Sequence, residues 1–372
     1  MKKNNLYYII AGESSGDLHG AQIIKSIKNI TPGVHFRGLG GARMIEQGLT
    51  SLENFNKLAV MGFLEILKDL TFFLNLKKYI ISDIRKNAPQ KIILIDYPGF
   101  NLSLARTLKK YTTIPIIYYI SPQVWAWKEN RVSIIRKYID KLIVIFPFEK
   151  VWFKQRGIEV EYFGHPLVDI YKNQLNHRSQ SQEYISFFPG SRLQEIKRHL
   201  PLIKKIIEIL FAKNTSMKFI VSRAKGIPAK EFDSLARMSK VSVDSSESIE
   251  TFKKSSLCII ASGTATLECA LTNTPLIVIY KTSFISWFIA KIFLKIPFIS
   301  IVNILAQKKI VSEYVQYGVN IQKISAEIIS LLNNSTLMKK EMKEVTQTLG
   351  LGNAYNASAK YIVNFKQLPS SK

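Results

Sequence analysis

The chain has 372 residues, 47% of them hydrophobic and 21% charged, which excludes wholesale disorder and a single small module and suggests two domains. Lys and Arg total 52 against 27 Asp and Glu, a net charge of +25; this balance favours polyanionic partners (nucleic acid, anionic lipid headgroups or phosphorylated substrates) or reflects a lysine-rich proteome. The two cysteines, Cys258 and Cys269, fit no zinc or redox spacing, which excludes a disulfide scaffold and points to a reducing compartment.

Met1–Asn5 is basic, but the apolar run Leu6–Ala11 is short and ends in Gly12-Glu13, so it reads as a first strand and not as a signal peptide. The turn Gly12–Gly16 leads into Leu18–Ile30, which has helical spacing. Met61–Ile81 crowds Phe63, Leu67, Phe72, Phe73 and other apolar residues onto a helix that also carries Lys68, Lys77 and Lys78. It is either a core helix or an interfacial one, whose apolar face enters lipid while lysines meet headgroups. Lys91–Asp96, Ile114–Ile120 and Lys141–Phe146 are further buried-type strands. Continuous apolar strands separated by helices indicate a parallel sheet covered on both faces.

Val168–Glu183 is polar and is the candidate linker. A second series follows, with strands at Tyr184–Phe188, Lys218–Val221, Leu257–Ala261 and Leu276–Tyr280 and helices at Ile196–Phe211, Ala326–Leu332 and Lys339–Thr348. The best candidate for a membrane span, Phe284–Leu305, contains Lys291, Lys295 and Pro297 and reads as non-spanning. The expected fold is α/β: two doubly wound Rossmann-like domains, residues 1–170 and 171–349, facing a cleft. A segment 350–372 returns to the first domain or to a partner chain. Ligands in such folds bind at the carboxyl ends of the strands.

The turns after these strands carry the residues suited to chemistry. Gly12–Asp17 is no GxGxxG, and no acid ends a second strand, so a nicotinamide-dependent dehydrogenase is disfavoured. Glu13 is a candidate base or hydroxyl anchor. Asp96 is a turn cap, or a general base if burial brings its pKa towards neutrality. Trp125 and Trp127 suit stacking on a sugar, lining an acyl pocket or core packing. His165 is a structural turn histidine or a catalytic one. Gly190-Ser191-Arg192 follows a strand and opens a helix; it is a phosphate-holding turn or a plain strand–helix turn with a solvated arginine. In Ala261–Glu268, Gly263 allows close backbone approach, Ser262 and Thr264 offer hydroxyls, and Glu268 lies about one helical turn beyond Thr264. A diphosphate on that helix end with Glu268 on ribose is one reading; a capped helix with a solvated Glu is the other. His19, His35, His177 and His199 form no spaced cluster and no Asp-x-Asp pair occurs, so no metal is expected. The lysines are spread along the chain and no nucleic-acid module is recognisable, so no nucleic-acid partner is expected.

Together the segments AGESSGD (Ala11–Asp17), GLGGARM (Gly38–Met44), VMGFLEIL (Val60–Leu67), IDYPGFN (Ile95–Asn101), YISPQVWAWKENRV (Tyr119–Val132), FPFEK (Phe146–Lys150), FGHPLVD (Phe163–Asp169), FPGSRLQEI (Phe188–Ile196) and ASGTATLE (Ala261–Glu268) resemble the lipid-A-disaccharide synthase family, inverting glycosyltransferases of the GT-B fold. The segments run in the family's order over nearly the whole chain. Relatives often carry PDFN where this chain has Pro98-Gly99-Phe100-Asn101, so a second carboxylate there is not essential here. They often carry PNLLA where this chain has Val302-Asn303-Ile304-Leu305-Ala306, which keeps Asn303. The resemblance implies transfer of the sugar of UDP-2,3-diacylglucosamine to 2,3-diacylglucosamine 1-phosphate, without metal or cofactor, in lipid A biosynthesis. It implies Asp96 as the preferred general base and Glu13 as the alternative. Gly190, Ser191, Arg192, Ser262, Gly263 and Thr264 are implied on the diphosphate, Glu268 on ribose, and Asn303 on nucleotide or phosphates. It also implies a homodimer and a cytoplasmic protein, peripheral on the anionic inner-membrane surface through Phe63, Leu67, Phe72 and Phe73, with Phe284–Phe298 as the rival contact.

Overall fold

The computed structural model describes residues 5–52, 70–172, 182–283 and 296–365. The chain divides into two units, Met1–Asp169 with Gly350–Lys372, and Ile170–Leu349. The first holds strands β1 (Leu6–Ala11), β2 (His35–Leu39), β3 (Leu49–Ser51), β4 (Lys91–Ile95), β5 (Ile116–Tyr119), β6 (Lys141–Val144) and β7 (Val160–Tyr162). They pair in parallel in the order β3-β2-β1-β4-β5-β6-β7. The order reverses between β1 and β4, where doubly wound sheets open a crevice beyond their carboxyl ends. The second unit repeats the plan with β8 (Tyr184–Phe188), β9 (Lys218–Ser222), β10 (Val241–Asp244), β11 (Ser255–Ala261), β12 (Leu276–Tyr280) and β13 (Glu313–Val315), ordered β10-β9-β8-β11-β12-β13 and again parallel. Its reversal lies between β8 and β11.

Successive strand side chains point to opposite faces, and both faces are covered. In the second unit Phe187, Ile259 and Ile279 enter one core while Phe188, Ile260 and Val278 enter the other. This is why the central strands read as unbroken apolar runs. The strands β2, β3, β7, β10 and β13 escape that signal. Three of them have only three residues, and β2 (HFRGL) and β10 (VSVD) interrupt their apolar positions with polar residues and glycine. The first helix starts at Ser14, earlier than its apolar periodicity begins, so Gly16 lies inside it. A Cβ at Gly16 would stand 3.2 Å from that of Ala11, so glycine there brings the helix close to β1.

Helix Leu70–Asn87 buries Leu76, Ile80 and Ile84 in the first core. Phe72 and Phe73 pack against the same core, and Phe73 lies 5.9 Å from the Phe100 ring. Both rings are partly buried, so each gives one side to this core. Phe63 and Leu67 lie outside the described residues, as does Phe284–Phe298 for the most part. Among the described residues no helix is long and apolar enough to cross a membrane.

Helix Ala354–Asn364 packs on helix Ser14–Ile30 within the first unit. The Asp169 carboxylate accepts the N–H groups of Ala354 (3.1 Å) and Tyr355 (2.9 Å) at one end. Lys91 Nζ donates to the carbonyls of Ile362 (2.5 Å) and Val363 (2.6 Å) at the other. An acid at a helix start and a cation at its end both complement the helix dipole. Tyr355 and His19 Nδ1 are hydrogen-bonded at 2.7 Å, and burial pushes the His19 imidazole down to about 4, so it stays neutral.

Candidate active site

In the first unit, Glu13 follows β1 and Asp96 follows β4, the two strands that flank the switch point. Asp96 (φ 43°) and Tyr97 (φ 51°) both take left-handed backbone, which non-glycine residues adopt only where the surroundings hold them. Here the Asp96 carbonyl accepts the Asn101 amide (2.8 Å) and the Tyr118 hydroxyl (2.5 Å), and Pro98 opens the helix Pro98–Leu108. A Cβ at Gly12 would fall 2.3 Å from the Tyr97 ring, so only glycine lets that ring cross the end of β1. Burial, then the charge of Glu13, raises the Asp96 carboxyl to about 6. Glu13 itself is exposed at the start of helix Ser14–Ile30 and caps no backbone N–H. A carboxyl raised to this level suits proton transfer near neutral pH. Nothing lies within 4 Å of a Cβ built at Gly99, so that position accepts a side chain without serving the turn.

Asp17, the last residue of the first motif, is structural. Its carboxylate accepts the N–H groups of Gly41 (2.8 Å), Arg43 (3.2 Å) and Met44 (3.1 Å), joining the first motif to GLGGARM. His165 is structural as well: it is buried, burial lowers its pKa to about 3, and its Nδ1 accepts Leu167 N–H at 3.1 Å. Trp125 anchors a loop and offers no sugar platform. It is 7% exposed, and its indole N–H donates at 3.1 Å to Glu149, which also accepts Ser121 Oγ (2.5 Å) and the N–H groups of Ile145 (3.1 Å) and Phe146 (2.9 Å). Burial outweighs these four donors and raises Glu149 to about 7. Sequence reasoning passed over Glu149. Its signal was FPFEK, a proline at the first helical position with an acid two residues on, ready to take the N-terminal N–H groups.

In the second unit, the turn after β8 contains Gly190 (φ 111°), where a Cβ would meet the Glu195 carboxylate at 2.8 Å. Ser191 and Arg192 are exposed at the start of helix Leu193–Lys213. The Arg192 side chain is 65% exposed and pairs with Glu195 at 3.0 Å, a surface pair worth at most about 1 kcal/mol and readily exchanged for a phosphate. The turn is fixed from behind by His199: Nδ1 bonds the Pro189 carbonyl (2.7 Å) and Nε2 accepts Lys281 N–H (2.9 Å), tying the ends of β8 and β12 together.

The turn after β11 supplies the other half. Gly263 (φ 152°) and exposed Thr264 open helix Thr264–Leu271, whose first N–H groups have no intrahelical partner. Ser262 Oγ donates to the Ile299 carbonyl at 2.9 Å, so in this state it braces the turn. Glu268 is half-buried and interacts with the Tyr171 hydroxyl; burial raises its pKa. A solvated Glu268 is thereby excluded. Asn303 is corrected. It is 0% exposed, its amide donates to Val311 O and Glu313 Oε1 (both 2.8 Å), and its Oδ1 accepts Ile310 N (2.8 Å) and Val311 N (3.0 Å). With all four bonds made inside the protein, Asn303 positions and does not touch a nucleotide. Glu313 also accepts Ile299 N and Ser300 N (both 2.9 Å), so Asn303 and Glu313 fix the loop on which Ser262 rests.

Two tandem doubly wound parallel sheets, with an acid at the end of one central strand and glycine-containing turns at the ends of two others, are the plan of the GT-B fold. The same fold is found over 96% of the chain in the solved glycotransferase of kitacinnamycin (TM-score 0.63, 12% identity, 98% of that chain). It recurs over 97% of the chain in UDP-GlcNAc 2-epimerase from Neisseria meningitidis bound to UDP-GlcNAc (TM-score 0.62, 13% identity, 99% of that chain). The sequence profile of the Lipid-A-disaccharide synthetase family matches residues 7–364, and the chain belongs to that family. It is 36% identical over 349 residues to lipid-A-disaccharide synthase 1 of Legionella pneumophila, covering 91% of each chain.

Proposed function

We propose that the protein transfers the sugar of UDP-2,3-diacylglucosamine to the 6-hydroxyl of 2,3-diacylglucosamine 1-phosphate, giving the β-1,6-linked lipid A disaccharide 1-phosphate and UDP. The observation that carries this reading is Asp96, a partly buried carboxyl raised to about 6 at a switch point, in a chain of this family. Asp96 takes the proton from the acceptor hydroxyl as its oxygen attacks the anomeric carbon. The bond to UDP breaks on the opposite side, which inverts the centre, and UDP leaves with the electron pair. Arg192 and the N–H groups at Gly263–Thr264 receive the charge that grows on the diphosphate, and Glu268 accepts from the ribose hydroxyls.

The test is to mix both substrates with the purified protein, with and without EDTA, and read products by mass. Disaccharide 1-phosphate with UDP, undiminished by EDTA, is the expected result, since an arginine and a helix end are available for the diphosphate. UDP release without disaccharide refutes the acceptor, and absence of turnover refutes the reaction.

The proposal includes attachment to an anionic membrane surface. The support is a groove between helices Leu70–Asn87 and Pro98–Leu108 in which Lys77, Lys78, Arg85 and Lys86 surround Leu74, Ile81 and Tyr111. Leu74 is 50% and Tyr111 57% exposed, so apolar surface lies open among cations. Burial, and then the neighbouring Arg106 and Lys110, lower the Lys77 pKa. Binding to phosphatidylglycerol vesicles should weaken several-fold between low and 0.5 M salt and on Lys78→Glu with Lys86→Glu. Equal binding to neutral vesicles would refute the attachment.

A further inference from the structure

We propose that Lys128 and Arg131, with the indole of Trp127 between them, form the subsite that holds the phosphate of the acceptor. The inference rests on the reaction proposed above and assigns the recognition of its phosphomonoester. Trp127 is 44% exposed, whereas Trp125 in the same loop is buried. Lys128 Nζ lies 4.4 Å and the Arg131 guanidinium 5.9 Å from the Trp127 ring centroid. Glu129, the acid between the two cations, is engaged elsewhere: it pairs with Arg156 at 2.7 Å. Neither Lys128 nor Arg131 has a carboxylate partner among the described residues.

The loop's place in the fold gives these cations a purpose. It follows β5, the neighbour of β4, and Ile95 is in register with Tyr119. Arg131 lies within electrostatic reach of the Tyr118 hydroxyl, and that hydroxyl donates to the Asp96 carbonyl at 2.5 Å. The cations therefore belong to the loop that follows the strand next to β4, and Arg131 faces the tyrosine that holds the Asp96 turn. Lys128 (φ 56°) and Ile120 (φ 64°) also hold left-handed backbone, as Asp96 and Tyr97 do, so each of these neighbouring loops carries two such residues. An exposed indole against two cations that have no carboxylate partner among the described residues fits an amphiphile bearing a phosphate: the cations take the dianion and the ring takes apolar surface.

The experiment compares 2,3-diacylglucosamine 1-phosphate with 2,3-diacylglucosamine lacking the phosphate as acceptors, at saturating UDP-sugar. The wild-type protein should prefer the phosphorylated acceptor by roughly 10–100-fold in kcat/KM, the range of one or two charge-assisted bonds. In Lys128→Gln with Arg131→Gln that preference should fall to within about threefold, through a higher KM for the phosphorylated acceptor, while KM for the UDP-sugar stays put. Arg131→Lys, which keeps a cation, should retain part of the preference. Full preference in the double variant overturns the subsite, as does an equal loss with both acceptors, which marks a structural role. A wild-type protein indifferent to the phosphate also overturns it. A wild-type protein inactive with both acceptors overturns instead the reaction on which the subsite rests.

Discussion

Replacing Asp96 with Asn should lower kcat by about 10²–10⁴-fold, the usual contribution of a general base, with UDP affinity unchanged. The pH dependence follows from the same group. Its carboxyl is raised to about 6, so kcat/KM should fall about tenfold per pH unit below pH 6 as the base becomes protonated. Glu13→Gln removes the second cause of that elevation and should move the acid limb to lower pH. An unmoved limb would take Asp96 out of the role. Stability should respond in the opposite sense to activity. A carboxyl whose folded pKa lies above its unfolded value opposes folding once ionised; the penalty is full above about pH 6 and vanishes as the pH falls below about 4. Asp96→Asn should therefore stabilise the protein at pH 8, by up to about 3 kcal/mol, and leave it unchanged at pH 4. Thermal unfolding at the two pH values measures the difference.

Arg192→Ala should weaken UDP binding by roughly 10–100-fold and cut turnover by about 10²–10³, the cost of removing one donor from a developing anion. Stability should move by less than about 1 kcal/mol, because the side chain is 65% exposed and its pair with Glu195 is a surface contact. Calorimetric titration with UDP, set beside thermal unfolding, separates the two effects. Unchanged UDP affinity would contradict the phosphate contact. Arg192→Lys should recover part of the binding only, since an ammonium lacks the two-pronged fork of a guanidinium.

Much of this architecture was legible because the information is local. Lys91–Asp96 and Tyr184–Phe188 are buried on both faces, so their strands announce themselves as apolar runs, and the turns that follow carry glycine, proline and polar residues. That placed Glu13, Asp96, Gly190–Arg192 and Ser262–Thr264 at strand ends before any coordinates. The short strands β3, β7 and β13 stayed hidden because three residues carry no periodicity. Asn303 shows the other limit. Its place beside a loop was visible, but the four bonds that occupy it come from residues that only the fold brings close. Phe72 and Phe73 suit lipid and core alike in the sequence, and the packing of Phe73 on the Phe100 ring is visible only in the fold.

By itself, then, the sequence determined the doubly wound plan, the strand-end position of the acids and of the glycine-containing turns, and the family. These follow from side-chain alternation, turn chemistry and motif order along the chain. Only the tertiary structure decided that the Asp96 carboxyl is raised, that Asn303 is saturated, and that Trp125 is spent on packing. Charge state, hydrogen-bond saturation and burial are properties of a side chain's neighbours, and those neighbours arrive from other strands and helices.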